Sequence, residues 1–193
     1  MELAILARHG ESAFSARALV NGDVAVACPL TAAGRDEAQR LREAIAGDSI
    51  DLCVTSEFER TRETANLALA GREVPRLVVP ELNDPRYGTY EGGPLADYRA
   101  WAHSHPSAEA PPGGGESRLD IVTRYARGFG VVLERPEETV LVVVHSLPIA
   151  YVLAGGVPQV APIVEHATAY RISADELRRA VGQLEGWRAA PTW

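Results

Sequence analysis

Arg8-His9, Arg60, the neighbouring acids Glu81 and Asp84, and His145 are the residues whose types could do chemistry together. Two guanidinium groups and two imidazoles gathered at one place bind a compact dianion such as a phosphate ester, because Arg donates in a planar fork that matches phosphoryl oxygens. Helix N-termini would add backbone N–H donors. A neutral imidazole held in line with the leaving oxygen attacks phosphorus while cations neutralise the equatorial oxygens. His9 would then carry the phosphoryl group as phosphohistidine. The departing alkoxide has a pKa far above neutral, so a carboxylic acid must protonate it and later deprotonate the water that cleaves the P–N bond. Asp84 and Glu81 both stand where that acid is needed. The acid must be protonated in the Michaelis complex, which burial and the nearby dianion favour and Arg8 and Arg60 oppose.

These side chains are far apart in the chain, so the fold has to gather them. Leu3 to Ala7 is a short aliphatic run without helical period, a buried parallel strand that empties into Arg8-His9-Gly10. Thr31 caps a helix whose Ala38, Leu41 and Ile45 recur at i, i+3, i+7, and Ile50 to Val54 reads as a second strand. Ser56 with Glu59 has the spacing of a capping box, opening a helix that puts Arg60 in its first turn. Leu77 to Val79 is a third strand, followed by a Gly- and Tyr-containing loop from Glu81 to Pro94. A short helix around Leu95 to Ala102 precedes a Pro-rich segment, His105 to Gly115, read as a lid or a spacer. Ser117 with Asp120 opens the best-patterned helix, and Thr139 to Val144 is the most β-branched strand, ending at His145. Pro148 suits the first turn of a further helix, and the chain closes with a strand at Ala167 to Ile172 and a weakly patterned tail. Alternating strands and helices predict a three-layer α/β/α sandwich around a mainly parallel sheet, a single domain over 1–193. Ligands bind beyond the carboxyl ends of such strands, which is where Arg8, His9, Arg60, Asp84 and His145 would all lie.

Composition narrows the chemistry. The chain has 193 residues, 46% of them apolar, enough to bury a sizeable core. All 19 basic residues are Arg, so lysine Schiff bases and a P-loop lysine are excluded. The net charge of −7 argues against a broad basic face for nucleic acid or anionic membrane, so any bound anion meets a local cluster. Cys28 and Cys53 lack metal or redox spacing, which suits a reducing cytoplasm. The first residues do not resemble a signal peptide, and no apolar run reaches membrane-spanning length.

The same residues carry a family resemblance. Arg8-His9-Gly10-Glu11-Ser12 resembles the R-H-G-E-S/T signature of the histidine phosphatase superfamily, which includes phosphoglycerate mutases, fructose-bisphosphatases and other phosphomonoesterases. Pro29-Leu30-Thr31-Ala32-Ala33-Gly34, the Ser56 to Ala65 stretch, Leu82-Asn83-Asp84, Gly114-Gly115-Glu116-Ser117 and Val142-Val143-Val144-His145 are similar to its later motifs, in the family's order over nearly the whole chain. The resemblance implies a phosphoglycerate mutase-like fold and no cofactor or metal. It also implies a nucleophile at His9, a second catalytic histidine at His145, Asp84 as proton donor, and phosphate ligands at Arg8, Arg60, His145 and Ser12, with Arg60 and not Arg62 as the clamp. Three departures stand out: Asp84 replaces the usual Glu, Ser146 the usual Gly, and Ser15 a common Asn, with Asn21 further on.

Other readings are weaker. His145 alone would be a core histidine, and His9 alone a loop residue; their company changes both. Arg62, Arg86 and Tyr87 read as surface, and His103-x-His105 as solvated for want of a third ligand. Ser12 and Glu116 read equally well as cavity lining or as capping groups. Ser146 imitates the nucleophile of an α/β hydrolase, but Val144 and Pro148 occupy positions where that turn needs small residues. A non-catalytic phosphate-binding module would not need every one of Arg8, His9, Arg60 and His145. The expectation is therefore a phosphomonoesterase acting on a small phosphate ester, with a phosphoglycerate mutase as the alternative. The oligomeric state is open, a homodimer included.

Overall fold

The computed structural model describes residues 1–192. Five strands form one sheet: β1 (Leu3–Arg8), β2 (Leu52–Thr55), β3 (Arg76–Val78), β4 (Thr139–Val144) and β5 (Tyr170–Ser173). Their spatial order is β3-β2-β4-β1-β5, parallel throughout except for β5, which runs antiparallel to β1 at the edge. Strand side chains alternate between faces, and the two cores divide accordingly. Ala4, Leu6, Val140, Val142 and Val144 pack with helices α4 (Arg118–Leu133), α5 (Ser146–Leu153) and α6 (Ala174–Ala189). Ile5, Ala7, Cys53, Leu141 and Val143 pack with α1 (Ala32–Ala44) and α2 (Glu59–Ala68). The result is the expected three-layer sandwich; the remaining α-helix among the described residues, α3 (Leu95–Ser104), has no buried residue.

Register places the chemistry. Arg8 lies opposite Val144 across the β1–β4 ladder, and the His9 N–H donates to the Val144 carbonyl at 2.9 Å, so His9 and His145 leave the sheet side by side. The turn after β1 is pressed against the start of α1. A Cβ on Gly10 would sit 2.3 Å from the Gly34 carbonyl oxygen, and one on Gly34 would sit 2.0 Å from that of Glu11. Only glycine fits at either position. Thr31 caps α1 by accepting from the Gly34 N–H, and the Thr64 hydroxyl of α2 accepts from the Gly10 N–H at 3.0 Å.

Several local expectations change. The Ser56 capping box does not form: α2 starts at Glu59 with Phe58 as its uncapped lead, because the Ser56 hydroxyl is taken by His145 Nε2 at 2.9 Å and Thr61 Oγ1 at 3.0 Å. Strand β3 begins and ends one residue earlier than Leu77 to Val79, and β5 starts at Tyr170. The tail is a helix. Ser173 and Glu176 make a full capping box, and Leu177, Ala180, Val181 and Leu184 bury the i, i+3, i+4, i+7 face of α6. The 105–115 segment is irregular as expected, but it is anchored where Thr89 N–H donates to the Pro112 carbonyl at 2.8 Å. Among the described residues, no helix is long and apolar enough to cross a membrane.

Candidate active site

The end of β1, the first turn of α2 and the loops after β1 and β3 bring Arg8, His9, Ser12, Arg60 and Asp84 to one cavity of about 610 Å³, with His145 buried at the end of β4. His9 and His145 meet edge to face with ring centroids 5.3 Å apart. The Gly10 carbonyl lies 2.7 Å from His9 Nδ1 and takes its proton, leaving the Nε2 lone pair turned to the site, where Arg60 Nε lies 3.2 Å away. Burial pushes the His9 imidazole well below its ordinary value, and the charges of Arg60 and Arg8 add to this, so the ring is neutral at neutral pH. His145 is pushed down to about 4, mainly by burial, with the Asp84 carboxylate opposing.

Arg60 is the hub. Its Nη2 pairs with Asp84 Oδ2 at 2.7 Å and lies 3.4 Å from His145 Nδ1, while Nη1 and Nη2 donate to the side-chain and main-chain oxygens of Asn21 at 2.7 and 3.0 Å. Its guanidinium also stacks 4.0 Å over the Phe58 ring. Asp84 Oδ2 stands 3.1 Å from His145 Nδ1. Beside an ionised carboxylate the imidazole proton belongs on Nδ1, so Nε2 accepts from Ser56. Burial pushes the Asp84 carboxyl up, but the His145 Nδ1–H and the Arg60 cation outweigh it and hold the group well below the usual carboxylate range. The resting carboxylate is therefore ionised.

Arg8 donates Nη1 to the Val164 carbonyl at 2.9 Å, while its Nε is buried without a hydrogen-bond partner among the described residues. An unpaired buried donor costs about 1–3 kcal/mol, which an arriving phosphoryl oxygen would relieve. Ser12 is buried at the cavity wall and its N–H and hydroxyl both engage Ser15 Oγ, at 2.7 and 3.2 Å. The ligand atoms of His9, Asp84 and His145 lie within 4.8 Å of one another, a spacing a metal ion could use. The Arg60 cation already contacts all three groups and would repel a second cation there.

Away from His9 and Arg60 the cavity is lined by the aromatic and apolar Tyr87, Tyr98, Trp101, Leu147 and Val164, with the charged Arg99, Glu109 and Arg118 on the same wall. Tyr87 is buried, contrary to its surface reading, with its ring set edge-on to Tyr98 at 4.7 Å. His105 is not simply solvated either: it stacks on Trp101 at 4.6 Å, and its Nδ1 lies 2.7 Å from the Trp101 carbonyl. Arg62 and Arg86 are exposed, as expected. Glu81 is outside the cavity lining. Sequence reasoning missed the hold of Asn21 on Arg60 and that of Ser56 on His145. It also missed Glu91, whose carboxylate ties Gly22 N–H to Tyr87 N–H at 2.9 and 2.8 Å. Only contact across loops reveals these, although the Ser15-to-Asn21 departure was a hint.

A neutral, oriented imidazole among two arginines, a second imidazole and a carboxylate, at the carboxyl edge of a parallel sheet, defines a phosphoryl-transferring α/β enzyme. The chain matches the family model of the histidine phosphatase superfamily (branch 1) over residues 4–180, and it belongs to that family as an enzyme of the phosphatase type. It is 32% identical over 158 residues to an adenosylcobalamin/alpha-ribazole phosphatase of Escherichia coli K12, covering 77% of this chain and 76% of that one. It is 34% identical over 179 residues to a 2,3-bisphosphoglycerate-dependent phosphoglycerate mutase of Mycobacterium leprae, covering 74% and 72%. Among solved structures, the alpha-ribazole phosphatase of Shigella flexneri superposes with a TM-score of 0.75 at 28% identity, covering 88% and 89% of the two chains.

Proposed function

We propose that the chain, read as one catalytic domain over 1–193, hydrolyses a phosphomonoester with a bulky, partly aromatic leaving group, in two steps through His9. In the first, Arg8, Arg60 and His145 bind the phosphoryl oxygens, with Ser12 at the edge. His9 Nε2 then forms the P–N bond as the P–O bond breaks, and Asp84 delivers its proton to the leaving oxygen. The incoming dianion draws Arg60 Nη2 and His145 Nδ1 away from Asp84 and places a like charge beside it, so the carboxylate takes up a proton as the substrate binds. In the second step Asp84 removes a proton from water, whose oxygen attacks phosphorus and releases His9 and phosphate. The observation that carries this reading is the orientation of His9, with Nδ1 fixed by Gly10 and Nε2 facing Arg60.

The aromatic cavity supports a leaving group larger than a three-carbon acid, and an α-ribazole phosphate belongs to that size class. The partner is a small molecule and not nucleic acid, since the net charge of −7 supplies no broad basic face. Two free, buried cysteines suit a reducing cytoplasm. The experiment is a hydrolysis screen with chelator present, spanning α-ribazole 5′-phosphate, other phosphorylated metabolites, and 3-phosphoglycerate primed with 2,3-bisphosphoglycerate. Phosphate release from bulky esters without added metal is expected. Efficient isomerisation of 3-phosphoglycerate with little free phosphate would overturn the hydrolase reading in favour of a mutase.

A further inference from the structure

The backbone that carries Asp84 is tied down by an ion pair outside the main cavity. Arg124 Nη1 donates to the carbonyls of Glu81 and Asn83, each at 2.8 Å, and Nη2 reaches toward the Asp84 carbonyl at 3.4 Å. The other edge of the guanidinium grips Glu116, Nε to Oε1 at 2.8 Å and Nη2 to Oε2 at 2.9 Å. Glu116 closes the ring: Oε2 accepts from Arg86 N–H at 2.9 Å, and its own N–H donates to the Arg86 carbonyl at 2.9 Å. Both partners sit in α4 or just before its N-cap. Glu116 immediately precedes the Ser117–Asp120 capping box of α4, and Gly128 of the same helix approaches residues 81 and 82 so closely that a Cβ there would lie 2.8 Å from Leu82.

A buried ion pair is a poor source of stability, since apolar residues of similar volume do as well or better. The planar fork of Arg is instead suited to gathering several acceptors in one geometry. An Asp side chain is short, so the placement of its backbone decides whether its carboxyl reaches the reacting oxygen. We infer that Glu116 and Arg124 are positioning residues for proton transfer, holding residues 81–86 so that the Asp84 carboxyl meets Arg60 and His145 at 2.7 and 3.1 Å. This rests on Asp84 being the proton donor.

The test compares kcat/KM for an alkyl phosphate and for p-nitrophenyl phosphate, whose leaving group needs little protonation. The variants are Asp84→Asn, Arg124→Met, Arg124→Lys, Glu116→Gln and the double Asp84→Asn/Arg124→Met. Asp84→Asn should cost roughly 10² to 10⁴ on the alkyl ester and far less on the aryl ester. Arg124→Met should lose about 10-fold or more on the alkyl ester, with a much smaller fall on the aryl one, because a misplaced acid is a weakened acid. Arg124→Lys keeps the charge without the fork and should follow it, and Glu116→Gln should fall between. The double variant should be within about twofold of Asp84→Asn on the alkyl ester, since a residue acting through Asp84 has nothing left to act on. Equal losses on both esters, or losses that add in the double variant, would mean a merely structural pair and overturn the inference. If Arg124→Met does not fold, Arg124→Lys and Glu116→Gln carry the comparison. A leaving-group bias in Asp84→Asn that is absent from the Arg124 and Glu116 variants defeats this inference alone, and no bias in Asp84→Asn defeats the donor reading and the inference together.

Discussion

At the scale of single residues, the charge each group carries is set by contacts from other elements and not by its own place in the chain. Arg8, His9, Arg60, Asp84 and His145 could be picked out because each follows a strand and each type suits phosphoryl transfer. That Asp84 rests ionised depends on the Arg60 and His145 contacts, which join residues 24 and 61 positions away and leave no local pattern. The neutral imidazoles have a consequence for stability. His145 is pushed down to about 4 and His9 also lies well below the unfolded value of about 6.5. Between those values the unfolded chain binds more protons than the folded one, so stability rises with pH across the window and is lost as pH falls from about 6.5 towards 4. Asp84, held below its ordinary value, extends the loss to still lower pH. Urea unfolding at pH 7, 6 and 5 should show a falling midpoint, with a shallower fall in His145→Gln. A midpoint independent of pH over that range would mean that the histidines are not buried neutral.

At the scale of elements, strong periodicity was read correctly and cross-element competition was not. Helices α1 and α4 follow from the Thr31 and Ser117 caps and their apolar spacing. The Ser56 capping box was a sound local inference that failed because a buried His145 competes for the same hydroxyl. Helix α6 was legible in hindsight, since Ser173 and Glu176 have the same cap spacing. Element positioning also explains the glycines at the mouth of the site. Gly34→Ala would place a Cβ 2.0 Å from the Glu11 carbonyl and force α1 away from the His9 loop. It should destabilise by about 1–3 kcal/mol and lower kcat/KM by roughly 10-fold or more. Gly182→Ala, in α6 with open space around it, should instead raise stability by about 0.5–1 kcal/mol. Thermal melts and kinetics on both variants check this. Wild-type stability and turnover in Gly34→Ala would show that the close approach does not position the loop.

At the scale of the whole molecule, the alternation of strands and helices predicted a parallel sheet, and the sheet alone predicted an active edge. An overall charge of −7 is compatible with an anion site because the cations are local and mostly buried, with Arg60 at 3% side-chain exposure. The aromatic part of the cavity was not legible. Its Tyr98 and Trp101 come from α3, a helix without a buried face, so they carried no periodic signal, and the rest of its wall comes from α4, α5 and loops that meet only in the fold. The reading of the molecule as a hydrolase stands on one covalent event, transfer of the phosphoryl group to His9. Rapid quench of the wild-type protein with a ³²P-labelled monoester should trap a phosphoprotein that is labile in acid and stable in base. Peptide mapping should place the label on His9, and His9→Ala should give no label and no turnover. A labelled His9→Ala protein, or one that turns over at the wild-type rate, would contradict the account.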